Sequence, residues 1–114
     1  MEEEYIPATG HIIYLNFDPQ TGHEQRGRRP ALVLTPFEYN SKTSLAIMCP
    51  ITNSEKGYPF EVKIPPDFDV TGVILCDQVK SLDWRERNAE YKCELPPDIV
   101  FDVLEKIKVL LFEE

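Results

Sequence analysis

The sequence predicts a small, mainly β protein: a strongly curved antiparallel sheet or barrel of five or six short strands, followed by one closing helix. Runs rich in Ile, Val, Leu and aromatic residues are cut short by 10 prolines and 5 glycines within 114 residues. Only the last segment has apolar residues at helical spacing. At this length the simplest organisation is a single domain over residues 1–114.

Six segments are predicted to form strands, because each combines aliphatic, β-branched or aromatic residues with flanking turn residues. They cover residues 11–18, 30–35, 44–51, 58–65, 71–79 and 89–94. The run 44–51 is continuously apolar, which is typical of a strand buried on both faces. The run 58–65 alternates between apolar and polar residues, and 89–94 is predicted to be a short edge strand.

The C-terminal segment predicts an amphipathic helix. Its apolar residues recur every three or four positions, at Ile99, Val103, Leu104, Ile107, Leu110 and Leu111. Pro97 suits the first turn of a helix, and Asp98 places a negative charge near the positive end of the helix dipole. The stripe either packs against the sheet or faces a partner, and packing is the simpler interpretation.

The chain is acidic, with 20 Asp and Glu against 12 Lys and Arg and a formal net charge of -8. This balance argues against sequence-blind binding to duplex nucleic acid, which depends on cations at many phosphates. No apolar run approaches the roughly 20 residues needed to span a bilayer, and the acidic N-terminus does not resemble a signal peptide. We therefore expect a cytoplasmic protein with no membrane contact.

The cysteines Cys49, Cys76 and Cys93 are widely spaced, form no CxxC motif and are odd in number. Each lies within or at the end of an apolar run, so we expect buried, reduced thiols. The two histidines, His11 and His23, do not have ligand-like spacing, and no metal site or cofactor is predicted.

The segment EQRGRRP, residues 24–30, concentrates three arginines in this acidic chain. Arginine presents a planar fork of donors that matches phosphate oxygens, and it stays charged at any working pH. Arg29 directly precedes Pro30, which favours an extended backbone at Arg29 and restrains it more than the residues beside Gly27. These arginines are either solvated surface charges or an anion clamp, and Arg29 is the best placed of them.

Candidate proton carriers lie near the ends of the predicted strands. His23 and Glu24 share the arginine-rich loop, and Asp77 ends an apolar run. Metal-free RNA cleavage needs activation of the ribose 2′-hydroxyl, stabilisation of charge at phosphorus and a proton for the leaving 5′-oxygen. Arg29 could meet the second need, and the Thr52 hydroxyl could bind the same phosphate. By spacing alone this set is weak, because any loop-rich domain carries such residues.

Aromatic residues near strand ends are candidates for stacking on unpaired bases, although core packing explains each of them at least as simply. They are Phe17, Phe37, Tyr39, Tyr58 and Trp84. In DWRER, residues 83–87, the tryptophan stands beside Arg85 and Arg87. This segment is either a second nucleic-acid contact or a group of self-paired charges.

Three stretches together resemble the MazF/PemK (Kid) family of toxin ribonucleases, and its MazF branch most closely. They are YIPATGHIIYLNFDPQTGHEQRGRRPALVLTPFEYN, CPIT followed by KGYPFEV, and GVILCDQVKSLDWRER. The likeness runs from about Tyr5 to the final helix. It implies an SH3-like (CcdB/MazF-type) β-barrel with helices that acts as a homodimer. It also implies a toxin of a type II toxin–antitoxin system, inhibited by a MazE-like antitoxin whose acidic C-terminal segment covers the RNA groove.

The activity implied by the resemblance is metal-independent, sequence-specific cleavage of single-stranded RNA, chiefly mRNA, to 2′,3′-cyclic phosphate and 5′-hydroxyl ends. The family's catalytic arginine falls on Arg29 and its threonine on Thr52. Glu24 matches a loop acid implicated in activity or RNA contact.

The resemblance also carries over further site positions. His23 and Asp77 match residues with catalytic roles in the Kid branch, but Leu75 stands where that branch has an arginine. This departure favours the version of the site built on arginine and threonine. Phe17, Lys56 and Gln78 match base-reading or RNA-lining positions, and Arg28 and Arg85 complete the predicted RNA contacts.

The alternative is a non-catalytic, CcdB-like binding module that acts on a protein target such as DNA gyrase, since fold does not fix function. A degenerate family member that binds only its antitoxin is a third possibility. Arg29 and Thr52 opening onto one cleft would favour the nuclease, because a gyrase-directed protein has no need of that pair.

Overall fold

In the computed structural model, which describes residues 3–17 and 28–112, the chain forms seven strands and two helices. The strands are β1 (His11–Asn16), β2 (Arg28–Val33), β3 (Leu45–Thr52), β4 (Glu61–Lys63), β5 (Val73–Leu75), β6 (Lys80–Asp83) and β7 (Glu90–Glu94). The helices are α1 (Phe37–Thr43) and α2 (Pro97–Phe112). The prediction of a mainly antiparallel β protein with a C-terminal helix is confirmed.

β3 is the centre of the sheet. The strand order is β4-β5-β3-β2-β1-β7, and β6 also pairs with β3. One edge of β3 therefore bonds to β2, whereas β6 and β5 share its other edge. Residues 48–51 are all buried, as the continuous apolar run predicts, and β7 lies at the end of the strand order, as expected for an edge strand.

The core has one cluster on each face of the central strands, because successive side chains alternate between the faces. The first cluster includes Ile12, Leu32, Cys49 and Ile51 and is covered by α2. The second consists of Ile13, Leu15, Ala31, Val33, Ala46, Met48 and Trp84. We call the side of β1, β2, β3 and β6 that bears this second cluster the Trp84 face.

α2 begins at Pro97, as predicted, and buries one side against the sheet. Ile99, Val103 and Ile107 of the predicted stripe belong to this contact. The other large apolar residues of the helix are exposed: Phe101, Leu104, Val109, Leu110, Leu111 and Phe112. The packing interpretation is therefore correct for about half of the predicted stripe.

The short helix α1 is absent from the sequence prediction and depends on tertiary hydrogen bonds. Asn40 is fully buried, and its Nδ2 donates to the carbonyls of Pro7 at 2.8 Å and Thr35 at 2.9 Å. The hydroxyl of Thr35 donates to Asn40 Oδ1 at 2.6 Å, and Trp84 Nε1 donates to the Asn40 carbonyl at 3.1 Å. Seven residues are too few for a stable isolated helix, so these contacts fix its position.

The predicted strand 71–79 is strand only at Val73–Leu75; a 3-10 turn, Cys76–Gln78, follows, and the separate strand β6 begins beyond the predicted range, at Lys80. β5 pairs with the end of β3, and its register would bring Asp77 opposite Met48 if it continued. Lys80 occupies that place instead. The 3-10 turn accommodates the residues between the two strands, so β6 pairs with β3 as a separate strand. The apolar pattern of the sequence does not reveal this division.

The three cysteines are free thiols, and Cys49 and Cys76 are buried as predicted. Cys93 is only half-buried, because it lies in β7 at the end of the strand order. Burial raises the pKa of Cys49 to about 12 and that of Cys76 to about 11, which keeps both thiols neutral at physiological pH. Among residues 3–17 and 28–112, no helix has the length and apolarity required to cross a membrane.

Replacing Asn40 with leucine is expected to lower the free energy of unfolding by about 2 to 4 kcal/mol, because buried carbonyls lose their donors. Urea denaturation followed by circular dichroism measures this change. The neighbouring Ser41→Ala substitution in the same helix is the control, with an expected change within about 0.5 kcal/mol. Equal losses in the two variants would contradict the role assigned to Asn40.

Candidate active site

The ends of β2 and β3 bring Arg29 close to Thr52. The register of these strands pairs Val33 with Met48 and Ala31 with Pro50. Extended by two residues along each strand, it brings Arg29 level with Thr52. Because neighbouring strands lie about 4.8 Å apart, two residues distant in sequence become lateral neighbours.

Two prolines lie where the paired part of these strands ends. Pro30 in β2 has no N–H to donate to β3, whereas the backbone of Pro50 faces the other edge of β3, toward β5 and β6. The pairing of β2 with β3 accordingly stops at Ala31 and Pro50. Arg29 and Thr52 therefore lie just beyond the ladder, one exposed and the other half-buried, where a ligand can approach.

Arg28 holds the sheet together on the face opposite Arg29, since consecutive strand residues alternate in direction. Its guanidinium donates to acceptors from β1, from β7 and from the residue two before β7: Tyr14 O at 3.0 Å, Asn16 Oδ1 at 3.2 Å, Glu90 Oε1 at 3.3 Å and the Asn88 carbonyl. The predicted contact of Arg28 with RNA would have to compete with these bonds.

Arg29 lies on the Trp84 face, in the same alternation as Ala31 and Val33. Its side chain is exposed and has no hydrogen bond or ion pair with any other residue in the described part of the chain. A guanidinium in this position is available to bind an anion with two parallel donors.

Thr52 is held by its own loop. Its Oγ1 accepts a hydrogen bond from the Ser54 N–H at 3.1 Å, so the hydroxyl hydrogen remains available for another acceptor. Its backbone is opposite Val73 of β5, which fixes the end of β3. The hydroxyl can therefore donate toward the same ligand as the arginine.

Gly72 allows the chain before β5 to approach the backbone of Thr52. Its φ is +118°, and a Cβ there would lie 2.3 Å from the Thr52 carbonyl oxygen and 3.0 Å from Asn53 Oδ1. The hydroxyl of Thr71 donates to the same Asn53 Oδ1 at 2.9 Å. A side chain at position 72 would therefore displace Thr52.

Phe17 and Lys80 meet above the Trp84 face. The Lys80 ammonium lies 5.4 Å from the centroid of the Phe17 ring. On a flat sheet these residues, three strands apart, would be about 14 Å apart across the strands and offset by about 20 Å along them. Their contact thus requires the sheet to curl over this face, as a strongly curved sheet does.

Lys80 lies on the same face as Arg29, and the sequence analysis did not single it out. It begins the alternation Lys80, Leu82, Trp84, whose last two members pack in the cluster on the Trp84 face. This alternation was the available signal, but the sequence analysis predicted no strand over 80–83. Lys80 is exposed and forms no ion pair with a carboxylate of residues 3–17 or 28–112.

Arg87 fixes the end of β1. Its Nη1 donates to the carbonyls of Asn16 at 3.0 Å and Phe17 at 2.8 Å, and its own carbonyl accepts the Asn16 N–H at 3.0 Å. The sequence analysis grouped Arg87 only with a possible charge cluster. Its contacts show that it positions Phe17 and the point where the arginine-rich loop begins.

The other predicted site residues are less closely grouped. His23 and Glu24 lie outside the described residues. Asp77 and Gln78 are exposed in the 3-10 turn that precedes Lys80. Lys56 lies in an exposed loop, where its backbone N–H donates to the Glu61 carboxylate.

The segment DWRER is a structural element on this face. Trp84 is buried in the core, so it is not available to stack on a base. Arg85 lies over the Trp84 ring and donates to the Glu4 carboxylate at 2.7 Å and 3.2 Å. This hydrogen-bonded pair lowers the pKa of Glu4 and raises that of Arg85. The charge of Arg85 is therefore paired with Glu4 of the N-terminal segment, and not with a carboxylate inside DWRER.

The fold and this pair of side chains define a class: a small antiparallel β protein that presents an arginine and a hydroxyl on one face at adjacent strand ends. Among the described residues, no three His, Cys, Asp or Glu side chains lie together as a metal site would require. The sequence pattern of the PemK-like, MazF-like toxins of type II toxin–antitoxin systems matches residues 8–111. The chain belongs to this family.

The similarity extends over nearly the whole chain. The endoribonuclease toxin MazF of Escherichia coli K12 is 45% identical over 111 residues, or 97% of this chain and 99% of that protein. The structure of Deinococcus radiodurans MazF matches with a TM-score of 0.87 and 53% identity, over 95% of this chain and 98% of that one. A MazE–MazF structure from D. radiodurans has a TM-score of 0.87, 46% identity and coverages of 97% and 100%. The resemblance found in the sequence is confirmed.

Replacing Gly72 with alanine is expected to lower the free energy of unfolding by roughly 2 kcal/mol or more, because a positive φ and a backbone clash act together. Chemical denaturation measures this change. Gly57→Ala is the matched control, since Gly57 has a φ of +76° but no atom within 4 Å of the added Cβ. If the two variants lose the same stability, contact with Thr52 is not the cause.

Proposed function

We propose that this toxin is a metal-independent endoribonuclease that cleaves single-stranded RNA, chiefly mRNA, at specific sequences. The main support is the position of Arg29 level with Thr52 on one face of the sheet, within a chain of the MazF-like family. The E. coli relative is itself described as an endoribonuclease toxin. The pair suits a phosphodiester, because one guanidinium and one hydroxyl can bind the same phosphate oxygens.

In the proposed reaction the ribose 2′-oxygen attacks the adjacent phosphorus, and the bond to the 5′-oxygen breaks. The products are a 2′,3′-cyclic phosphate and a 5′-hydroxyl. Arg29 stabilises the negative charge that develops on the phosphorane, and Thr52 donates its hydroxyl to a non-bridging oxygen. Both groups are held by backbone structure before the substrate binds, which lowers the reorganisation that the reaction requires.

The proton transfers require two further groups. The 2′-hydroxyl must lose a proton and the leaving 5′-oxygen must gain one. The family resemblance supports Glu24 in this role, with His23 and Asp77 as the other candidates. Arg87 supports the assignment indirectly, since it anchors the carbonyl of Phe17 where the chain enters the loop that carries Glu24.

We propose that further side chains contact the RNA outside the catalytic residues. Phe17, Lys56 and Gln78 are proposed to line the RNA path, because Lys56 and Gln78 are exposed and Phe17 is half-buried at the end of β1. Arg28 and Arg85 are also proposed to contact RNA, although each already forms an ion pair with a carboxylate. We further propose that the toxin acts in the cytoplasm, where its mRNA substrate is found.

The test of this function is end-mapping of a long single-stranded RNA after incubation with the purified protein in EDTA. We expect cuts at a recurring short sequence, with 5′-hydroxyl ends. Arg29→Ala should slow cleavage at least about 100-fold, because one charged donor to the transition state is lost. Thr52→Ala should slow it less, and Thr52→Ser should retain most of the activity.

The control for these variants is Lys108→Ala, which removes an exposed cation from α2, the helix that packs behind the opposite face. It should cut RNA at the rate of the unmodified protein. Full activity of Arg29→Ala would contradict the catalytic assignment. Growth arrest without any RNA cleavage would instead indicate a protein target, as in a CcdB-like module.

The proposed partners are a second copy of the chain and a MazE-like antitoxin. The exposed apolar side chains of α2 support association, because contiguous apolar surface is typical of protein contacts. Sedimentation of the toxin alone should give about twice the 13.2 kDa of one chain, since family resemblance implies a homodimer. Addition of D. radiodurans MazE should increase that mass. A single-chain mass at tens of micromolar would contradict the dimer.

A further inference from the structure

We propose that Lys80 and Phe17 form a nucleotide-binding subsite beside the scissile phosphate, in which a base stacks on Phe17 and the Lys80 ammonium binds a backbone phosphate. This inference rests on the proposed nuclease function. The family resemblance suggested Phe17 as an RNA contact, whereas nothing in the sequence analysis singled out Lys80.

The position of Lys80 supports this role. It begins β6 opposite Met48, and its alternation with Leu82 and Trp84 directs it to the Trp84 face, the face that also carries Arg29 and Thr52. From there its ammonium reaches the Phe17 ring. The subsite and the catalytic pair thus share one curved surface.

The chemistry of Lys80 in the free protein also supports this role. The ammonium is exposed and, within the described chain, has no carboxylate partner. It rests instead over an aromatic ring at a distance of 5.4 Å. An exposed cation–π contact is weaker than stacking of a base on an aromatic ring. An incoming base can therefore displace the ammonium from the ring, and the displaced cation is then free to bind a phosphate.

Contacts with the rest of the protein hold Phe17 in place before a base binds. Its backbone carbonyl accepts a hydrogen bond from Arg87 at 2.8 Å, and its side chain packs partly against the core cluster of the Trp84 face. The ring is only half-buried, so one face can be covered either by Lys80 or by a base. A fixed ring loses little conformational freedom on binding, which favours stacking.

The experiment compares Lys80→Met, which keeps an apolar stem but removes the charge, with Lys80→Arg, which keeps the charge. The substrate is a labelled RNA oligonucleotide that carries the site mapped with the unmodified toxin. We expect Lys80→Met to raise KM about tenfold with kcat within about twofold, because it removes a charged contact made before the transition state. Lys80→Arg should restore most of the affinity.

Salt dependence separates a phosphate contact from a structural role. In an Arg29→Ala background, in which cleavage should be slow enough to measure binding, the slope of log affinity against log salt should fall by about 0.7 on Lys80→Met. Phe17→Leu should weaken binding without changing that slope. The matched control is Lys108→Met, which removes one positive charge from α2 and should leave KM and the slope unchanged.

The outcomes are distinct. If the unmodified toxin cuts RNA and Lys80→Met behaves like Lys108→Met in both KM and slope, the subsite is wrong and the nuclease stands. The same conclusion follows if Lys80→Arg fails to restore binding while its thermal unfolding matches that of the unmodified toxin. If the unmodified toxin cuts no RNA, the proposed function and this inference both fail.

Discussion

Consecutive residues of a β-strand must point to opposite faces of the sheet, and in β2 those residues are Arg28 and Arg29. This constraint gives two neighbouring guanidinium groups different tasks. Arg28 binds acceptors that tie β1 to the β7 side of the sheet, including Glu90 at 3.3 Å. Arg29 is thereby placed on the Trp84 face, where the described residues offer it no carboxylate. The pleat of the strand, and not any difference between the two side chains, therefore separates the positions of Arg28 and Arg29.

The neighbouring elements preserve the opening around Arg29. Pro30 cannot donate to the β2–β3 ladder, and the pairing ends before it reaches Arg29 and Thr52. On the far side of β3, Gly72 lets the chain pass close to the Thr52 carbonyl without displacing it. Two of the residues that shape this region thus act through a group that they lack, since Pro30 has no N–H and Gly72 has no Cβ. The positions of Arg29 and Thr52 depend on them.

The sequence predicts those parts of the fold that local pattern determines. The apolar run 44–51 identifies the central strand, and Pro97 marks the start of the last helix. α1 is not predictable in this way, because its seven residues are held by the buried side chain of Asn40, whose partners lie elsewhere in the chain. The same distinction between local sequence pattern and tertiary structure applies to the site. Motifs identify Arg29 and Thr52 individually, but only the register brings them level, and only the curvature of the sheet brings Lys80 to Phe17.

An acidic toxin can bind RNA because electrostatic interactions between exposed groups are screened over about 8 Å at physiological ionic strength. The net charge of -8 therefore matters less than the groups lining the site. Several cations elsewhere in the described chain are paired with carboxylates, as Arg85 is with Glu4 and Lys63 is with Glu55. Glu55, three residues beyond Thr52, is thus partly neutralised. Within residues 3–17 and 28–112, Arg29 and Lys80 on the Trp84 face have no carboxylate partner, so the local potential can be positive although the protein as a whole is negative.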